Sequence, residues 1–168
     1  MSKLIWILFT AIIFLTAFSC EKEESERTWE TEMAELEVML DELVEKGVNI
    51  DTTQLTVYYH ELRDGEGIYP KVGDTLYVSF IGFVPSGKKI EDSRELHPPN
   101  GIWKCLYKPQ HSVVGFIDAL SYLNKGAEIE MYIPSDRAYG KKGGPNVPPY
   151  TTLIYRATMH DVVRPKGN

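Results

Sequence analysis

The segment 126–155 constrains the fold of this chain more than any other stretch of the sequence. It reads GAEIEMYIPSDRAYGKKGGPNVPPYTTLIY. Ile129, Met131 and Ile133 alternate with outward residues, which predicts a strand with one buried face. A glycine- and proline-rich loop follows this strand and ends at a second β-prone run. Such a loop is able to hold the hydroxyl of Tyr139 and small apolar groups over a cleft.

The remaining pattern combines short strands with a single short helix. Strand patterns cover 55–62, 76–84, 90–93, 103–107 and 153–158. A helix that faces a core is indicated over 116–123 by its apolar spacing. Several strands with one short helix predict an α+β domain, in which a curved antiparallel β-sheet wraps around that helix. We expect this domain to span 55–163.

A separate amphipathic helix is predicted over 29–50, before the domain. Its apolar residues step by four, three, four and three along one stripe, and they are Trp29, Met33, Leu36, Leu40 and Leu43. Acidic residues fill the opposite side, and Gly47 is a stop signal. The short stripe favours packing on the chain's own domain over a coiled coil. A dimer through the Trp29–Leu43 stripe is the alternative.

The first residues of the chain have the three parts of a secretory signal: a basic start at Lys3, an apolar middle and a small residue at Ser19. The apolar run is shorter than the roughly 20 residues that a membrane span needs. The ending Ala-Phe-Ser-Cys is similar to a bacterial lipobox. We therefore expect 1–19 to be a lipoprotein signal peptide and Cys20 to carry a lipid anchor to the membrane. An ordinary signal peptide or an uncleaved anchor is the alternative.

An acidic tether is expected over 20–28, where Lys22 is followed by two glutamates. This arrangement resembles the surface-export signal of lipoproteins in the Bacteroidota, although a solvated linker has the same composition. We therefore expect a protein of the cell envelope, an outer-membrane lipoprotein that is periplasmic or surface-exposed.

The net charge of −6 is unevenly distributed along the chain. Residues 21–46 hold eleven acids and three bases, whereas residues 47–168 hold thirteen acids and fourteen bases. A nearly neutral main domain lacks the basic surface of a nucleic-acid binder, so no nucleic-acid partner is expected. The histidines are scattered without metal-ligand spacing, which predicts no metal site. Cys105, the one thiol left if Cys20 is lipidated, is predicted to be a small buried hydrophobe.

Short motifs across the predicted domain occur in the order typical of one known family. They are Tyr69–Thr75, Phe80–Gly87, Gly87–Ser93, Val113–Phe116, Ile133–Pro134, Ala138–Gly140, Val147–Pro149 and Thr152–Leu153. Each motif is weak alone, but together and in order they make the chain resemble the FKBP family of peptidyl-prolyl cis-trans isomerases. The resemblance covers nearly all of 55–163 and implies the FKBP-like α+β fold.

The resemblance also implies a set of site residues, carried over by matching positions. The catalytic positions are Tyr139, Phe116 and Glu91, and the substrate-binding positions are Phe80, Ile90, Trp103, Val113, Val147 and Tyr155. Tyr139 would offer its hydroxyl to a substrate carbonyl, and Phe116 would form the pocket floor, where most relatives place tryptophan. Glu91 falls where the family has aspartate, and Asp92 would take that part if the strand slips by one residue. These departures trim the pocket and predict a weak or slow isomerase.

The implied reaction is rotation about an X-Pro amide bond in proline-containing polypeptides. Amide resonance sets a barrier of about 18–20 kcal/mol, and the protein has to bind the twisted amide better than either planar form. No bond breaks, so no nucleophile, metal or cofactor is expected. The implied role is a lipid-anchored isomerase that assists the folding of exported or envelope proteins. The alternatives are a catalytically weak or inactive FKBP-like binding or chaperone lipoprotein, and a structural lipoprotein that acts through its N-terminal helix.

Overall fold

The computed structural model of the protein describes residues 27–108 and 113–166. Its strands β1 to β7 span Asp51–Thr52, Tyr58–Arg63, Thr75–Phe83, Lys89–Asp92, Trp103–Leu106, Glu128–Ile133 and Leu153–Val163. Its α-helices α1 to α3 span Trp29–Glu45, Ser93–Leu96 and Val114–Leu120, and two 3-10 helices span Ser135–Arg137 and Gly140–Lys142. The predicted signal peptide 1–19, Cys20 and most of the predicted tether lie outside the described residues.

The strands form one curved antiparallel sheet of order β1-β2-β6-β7-β3-β4. Strand β3 has two partners along its outer edge, because β5 pairs with Thr75–Val78 and β4 pairs with Ile81–Phe83. Its other edge pairs with β7 over its whole length. This sheet, with the short helix α3 packed against it, confirms the predicted α+β architecture.

The core lies between one face of the sheet and helix α3. Ile129, Met131 and Ile133 of β6 are buried on that face, because successive side chains of a strand point to opposite sides. Helix α3 adds buried Phe116 and Leu120 from above the sheet. Full burial of a large apolar side chain stabilises a fold by about 1.5–3 kcal/mol. The core therefore fixes the distance between α3 and the sheet, which is where a cavity remains open.

Helix α1 begins at a reciprocal capping contact between two threonines. Thr28 Oγ1 accepts a hydrogen bond from Thr31 N at 3.3 Å, and Thr31 Oγ1 accepts one from Thr28 N at 2.9 Å. These bonds satisfy backbone donors that the first turn of a helix leaves without partners. The helix ends at Glu45, earlier than the predicted boundary at residue 50.

The apolar stripe of α1 faces the protein's own domain. Leu36 is 2 % exposed, whereas Trp29 at the start of the helix is 36 % exposed. The expectation that acidic residues stay on the outer side is wrong for Glu32, which is 1 % exposed and bonded to the domain. No helix in the described part of the chain is long and apolar enough to cross a bilayer.

Cys105 is buried in β5, next to the core. Burial raises the pKa of its thiol to about 11, because the thiolate loses hydration in apolar surroundings. A thiol that stays protonated at neutral pH is a poor nucleophile. The side chain therefore serves as apolar packing.

Candidate active site

A half-open cavity of about 160 Å³ lies between the sheet and helix α3. Strands β3, β4, β5 and β7, helix α3 with its entry, and the loop after β6 all contribute to its lining. The lining residues are Phe80, Glu91, Trp103, Val113, Phe116, Ile117, Tyr139 and Tyr155. All of them except Ile117 are among the site residues predicted from the sequence, so the fold brings together residues that lie far apart in the chain.

Four aromatic rings form the walls and floor of the cavity. The Phe116 ring lies 4.9 Å from the Tyr155 ring and 5.3 Å from the Phe80 ring, measured between centroids. The Phe80 ring lies 6.0 Å from the Trp103 ring at an interplanar angle of 83°. Edge-to-face pairs of this kind contribute about 0.5–1.5 kcal/mol beyond the burial of their surface. The rings therefore support one another in the walls and floor of the cavity.

Glu91 and Tyr155 lie on either side of Gly82, which pairs with both of them across the sheet. Since Gly82 has no side chain, the Tyr155 ring passes over it, and the Tyr155 hydroxyl donates to Glu91 Oε2 at 3.0 Å. A Cβ atom at Gly82 would lie 2.5 Å from Cε1 of that ring. Burial, and then the charge of Glu91, raise the pKa of Tyr155 far above its ordinary value. The phenol therefore remains a hydrogen-bond donor.

Tyr139 reaches the cavity from the turn between the two 3-10 helices. Gly144 packs against its ring, where a Cβ atom would lie 2.7 Å from Tyr139 Cδ1. Burial raises the pKa of the Tyr139 phenol, and the charge of Glu91 adds to this effect. Among the described residues the Tyr139 hydroxyl has no hydrogen-bond partner. A protonated donor is thus available at the edge of the cavity.

Two residues predicted to bind substrate, Ile90 and Val147, are not part of the cavity lining. Ile90 is half-buried and packs against the hydrophobic core from β4. Val147 is buried, and its backbone exchanges hydrogen bonds of 2.9 and 3.0 Å with Gly144. Both side chains support the elements that carry the lining residues.

The two neighbouring acids of β4 have different surroundings. Glu91 lines the cavity, whereas Asp92 accepts hydrogen bonds from Arg94 N at 3.0 Å and from Arg94 Nη2 at 2.7 Å. These bonds cap helix α2, and they hold the pKa of Asp92 well below its usual range. Asp92 is therefore committed to the local structure, and Glu91 is the acid available to the cavity.

Ile117 is the lining residue that sequence reasoning missed. It directly follows Phe116 and is fully buried in α3. Residue 117 lies on the helix face next to the stripe formed by 116, 120 and 123. Its apolar side chain is the only signal in the sequence that indicates burial. Because α3 lies inside the curve of the sheet, more than one of its faces is covered.

The chemistry of the cavity is that of binding and hydrogen bonding. Glu91 is the only charged side chain among the lining residues that the structure describes. Over residues 27–108 and 113–166, no three His, Cys, Asp or Glu side chains lie close enough together to hold a metal ion. The lining offers apolar rings, one phenol donor and one carboxylate acceptor, which suits a neutral, partly apolar peptide unit.

Residues 67–160, more than half of the chain, match the family model described as FKBP-type peptidyl-prolyl cis-trans isomerase. The chain belongs to this FKBP family. Membership confirms the resemblance seen in the ordered sequence motifs. The matched region covers the elements from β3 to most of β7. All of the cavity-lining residues lie inside the matched region.

Two relatives differ in how much of their length this FKBP-family chain matches. FkpA of Escherichia coli strain K12, an FKBP-type peptidyl-prolyl cis-trans isomerase, is 32% identical over 118 residues, which are 70% of this chain and 41% of FkpA. FK506-binding protein 1 of Debaryomyces hansenii is 30% identical over 113 residues, which are 66% of this chain and 95% of that protein. The chain therefore spans about two fifths of FkpA, but nearly all of the smaller relative.

Two solved structures have a fold similar to that of this chain. The crystal structure of FkpA from Escherichia coli matches with a TM-score of 0.62 and 27% identity, over 80% of this chain and 62% of that one. The peptidyl-prolyl cis-trans isomerase of Pseudomonas syringae pv. tomato matches with a TM-score of 0.66 over 83% of this chain and 99% of that one. At 23% identity, the second comparison supports the fold alone.

Proposed function

We propose that this FKBP-family protein is a peptidyl-prolyl cis-trans isomerase that assists the folding of exported or envelope proteins. The observation that supports it best is the cavity, where aromatic rings surround the Tyr139 phenol and the Glu91 carboxylate. A pocket of this kind fits a pyrrolidine ring and removes water from the amide bond that precedes it.

Removal of water is itself a source of catalysis for this reaction. The planar amide is more polar than the twisted one, so hydration stabilises the ground state and helps to maintain a barrier of about 18–20 kcal/mol. Contact with Phe80, Trp103 and Phe116 replaces that water with apolar surface. The twisted amide loses less hydration free energy than the planar forms when water is replaced. The cavity therefore binds the transition state preferentially, which accelerates rotation.

Hydrogen bonds then hold the peptide while the bond turns. The Tyr139 hydroxyl donates to a carbonyl of the bound peptide, and the Val113 amide is a second candidate donor. Glu91, fixed by its bond from Tyr155, accepts a peptide N–H from the opposite side of the cavity. Neither group needs to change its protonation state, because rotation transfers no proton.

The test is a refolding assay limited by proline isomerisation, with the protein at micromolar concentration. We expect acceleration by the wild type, and a loss of about tenfold or more in kcat/KM for Tyr139→Phe, because a positioned donor of this kind contributes strongly to rate. Phe116→Ala should also lose activity, because it removes the ring that forms the floor of the pocket. Tyr58→Phe, which changes a tyrosine on β2 outside the cavity lining, is the matched control and should keep full activity.

Phe116 forms a smaller pocket floor than the tryptophan of most relatives. This favours a second candidate function, a binding or chaperone lipoprotein that binds proline-containing segments without isomerising them. Binding of a proline peptide, measured by tryptophan fluorescence, in a protein that gives no acceleration would favour this candidate. Absence of both binding and acceleration would contradict the assignment of the pocket. A Tyr139→Phe, Phe116→Ala double variant that accelerates refolding as well as the wild type would also contradict it.

We further propose that residues 1–19 are a lipoprotein signal peptide, that Cys20 carries the lipid, and that 20–28 is a tether. Helix α1 and the FKBP-like domain 55–163 would then stand at the outer membrane, on its periplasmic or outer face. The support is the sequence pattern around Cys20, including the lysine and acids typical of Bacteroidota surface lipoproteins.

Lipid attachment is tested by growing an expressing bacterium with a labelled fatty acid. We expect label in the wild type and in Cys105→Ser, but none in Cys20→Ser. Protease treatment of intact cells then distinguishes a surface-exposed protein from a periplasmic one. Label that remains in Cys20→Ser would refute the anchor.

A further inference from the structure

Helix α1 is joined to the domain by the buried carboxylate of Glu32. Its Oε1 accepts hydrogen bonds from Ser135 N at 2.7 Å and from Thr152 Oγ1 at 2.9 Å, and its Oε2 accepts one from Ser135 Oγ. Within the described residues it has no ion-pair partner. Burial of a carboxylate is unfavourable unless charge-assisted hydrogen bonds replace its water. The three donors are therefore a specific docking contact.

The two partners of Glu32 stand at the two ends of one loop, the site loop, which comprises residues 135–152. Ser135 begins the loop, and Tyr139 follows four residues later. Thr152 ends the loop, directly before β7. Pairing of Ile133 with Leu153 brings the two ends together at the sheet. A single carboxylate bonded to both ends fixes them beyond the last strand pair, and so constrains the loop that carries Tyr139.

The position of each end is passed on to a cavity residue over a short stretch of backbone. Ala138 N donates to Ser135 O at 2.9 Å, which ties Ser135 to the residue before Tyr139. On the other side, Thr152 directly precedes β7, and Tyr155 is the third residue of that strand. Movement of Ser135 relative to Thr152 would therefore move the Tyr139 and Tyr155 phenols relative to each other.

A second contact from the start of α1 reaches the same loop. Arg27 Nε and Nη2 donate to Tyr150 O at 3.3 and 3.2 Å, and Arg27 also pairs with Glu35 of α1 at 2.6 Å. Tyr150 has φ 47°, in the left-handed region that residues other than glycine rarely adopt. Its N–H donates to Gly140 O at 3.1 Å, next to Tyr139. The helix thus also holds an unfavourable backbone conformation of the site loop in place.

We propose that Glu32 is a positioning residue of the isomerase site, which places the Tyr139 hydroxyl at the cavity by bonding Ser135 and Thr152. This inference rests on the proposed isomerase function, in which Tyr139 holds a substrate carbonyl. Glu32 is not part of the cavity lining and acts only through the site loop. Helix α1 therefore supports the site, in addition to leading towards the proposed anchor.

The test compares four versions of the full chain, purified in mild detergent: wild type, Glu32→Ala, Glu32→Gln and Glu37→Ala, which changes an exposed glutamate of the same helix. We expect Glu32→Ala to lower kcat about tenfold and to change KM less than twofold, because displaced catalytic groups lose rate steeply while the proline pocket is intact. Glu32→Gln should recover most of kcat, since its amide oxygen still accepts from Ser135 N. Glu37→Ala should match the wild type.

Amide hydrogen exchange at Ala138 and Tyr150, whose N–H groups donate to Ser135 O and Gly140 O, provides a readout that does not depend on activity. Exchange should be faster in Glu32→Ala than in Glu37→Ala. If Glu32→Ala does not fold, Thr152→Val, which removes one donor with little change of shape, should show smaller effects in the same direction.

The possible results separate this inference from the proposed function. An active wild type whose folded Glu32→Ala variant keeps its kcat and its exchange rates would overturn the positioning role alone. The inference would also be overturned if Glu32→Ala and Glu32→Gln lost the same amount of kcat/KM and the loss came from a higher KM. An inactive wild type in which exchange at Ala138 and Tyr150 still rises in Glu32→Ala would refute the isomerase function and support the positioning of the loop.

Discussion

At the scale of single residues, Gly82 decides how the polar side of the cavity is built. It pairs with Glu91 on one strand and with Tyr155 on the other, so its bare backbone lets the phenol reach the carboxylate. The pairing of β3 with β4 shifts register between Gly82 and Phe83. Because of that shift, Glu91 and not Asp92 faces the cavity. The sequence leaves this choice open, since residue spacing does not show where a strand has a bulge.

Replacing Gly82 with alanine should disturb both stability and the site. The added methyl group would meet the Tyr155 ring, and overpacking of this kind lowers the free energy of unfolding by about 1–3 kcal/mol. Urea unfolding of Gly82→Ala measures the loss, with Ser86→Ala in the exposed turn of the same hairpin as control. Equal unfolding midpoints for the two variants would show that the ring moves aside freely.

His60 is a buried titratable residue far from the cavity lining. It lies on β2 opposite Glu130 and stacks on Tyr132 with ring centroids 6.3 Å apart. Its Nδ1 is buried and has no hydrogen-bond partner among the described residues. Burial lowers the pKa of His60, Arg156 acts in the same direction, and Glu130 opposes both.

This environment predicts a loss of stability in mild acid. The unfolded chain binds a proton at His60 near pH 6.5, whereas the folded protein binds it only at lower pH. The free energy of unfolding should therefore decrease as the pH falls from about 6.5 through the lower folded pKa. Urea unfolding between pH 7.5 and 5 measures the slope, which should be shallower in His60→Phe. An unchanged slope would assign the acid sensitivity to other groups.

At the scale of elements, the sequence predicts what depends on local periodicity. Ile129, Met131 and Ile133 alternate, so the position and the buried face of β6 follow from a period of two. The stripe of α1 likewise predicts its packed side. The burial of Glu32 does not follow from any local pattern, because Ser135 and Thr152 are 103 and 120 residues away in the chain.

Removal of the N-terminal cap of α1 should loosen the helix and the site loop together. Thr28→Ala loses the acceptor for Thr31 N, a change that destabilises a helix by about 1 kcal/mol. Because Glu32 lies in the first turn, we expect faster amide exchange in residues 29–33 and also at Ala138, whose N–H donates to Ser135 O. Glu37→Ala, in the middle of the helix, should change neither. Exchange that increases only in the helix would mean that the loop holds its shape without α1.

At the scale of the whole molecule, the predicted elements and most of the cavity lining follow from the sequence, while the helix-to-loop connection does not. Periodicity and the family resemblance supply the strands and the aromatic residues. Ile90 and Val147 are assigned to the site by their positions in the family pattern, and neither of them lines the cavity. Strand register and loop course decide such details, and these depend on contacts between distant segments.

The protein should be a monomer, because α1 uses its stripe within the same chain. Leu36 and Glu32 are buried there and are unavailable to a second copy. Sedimentation equilibrium in mild detergent at tens of micromolar should give the mass of one chain, and Trp29→Ala should leave it unchanged. A dimer that dissociates in Trp29→Ala would instead support association through the Trp29–Leu43 stripe.

If Cys20 carries a lipid, the contact between Arg27 and Tyr150 also limits how far the FKBP-like domain can reach from the bilayer. A lipid on Cys20 would be seven residues from Arg27, and an extended chain of that length spans at most about 25 Å. The mouth of the cavity would then work within roughly one protein diameter of the headgroups. Nascent or newly exported chains that emerge at the membrane surface would meet it there, before they diffuse away.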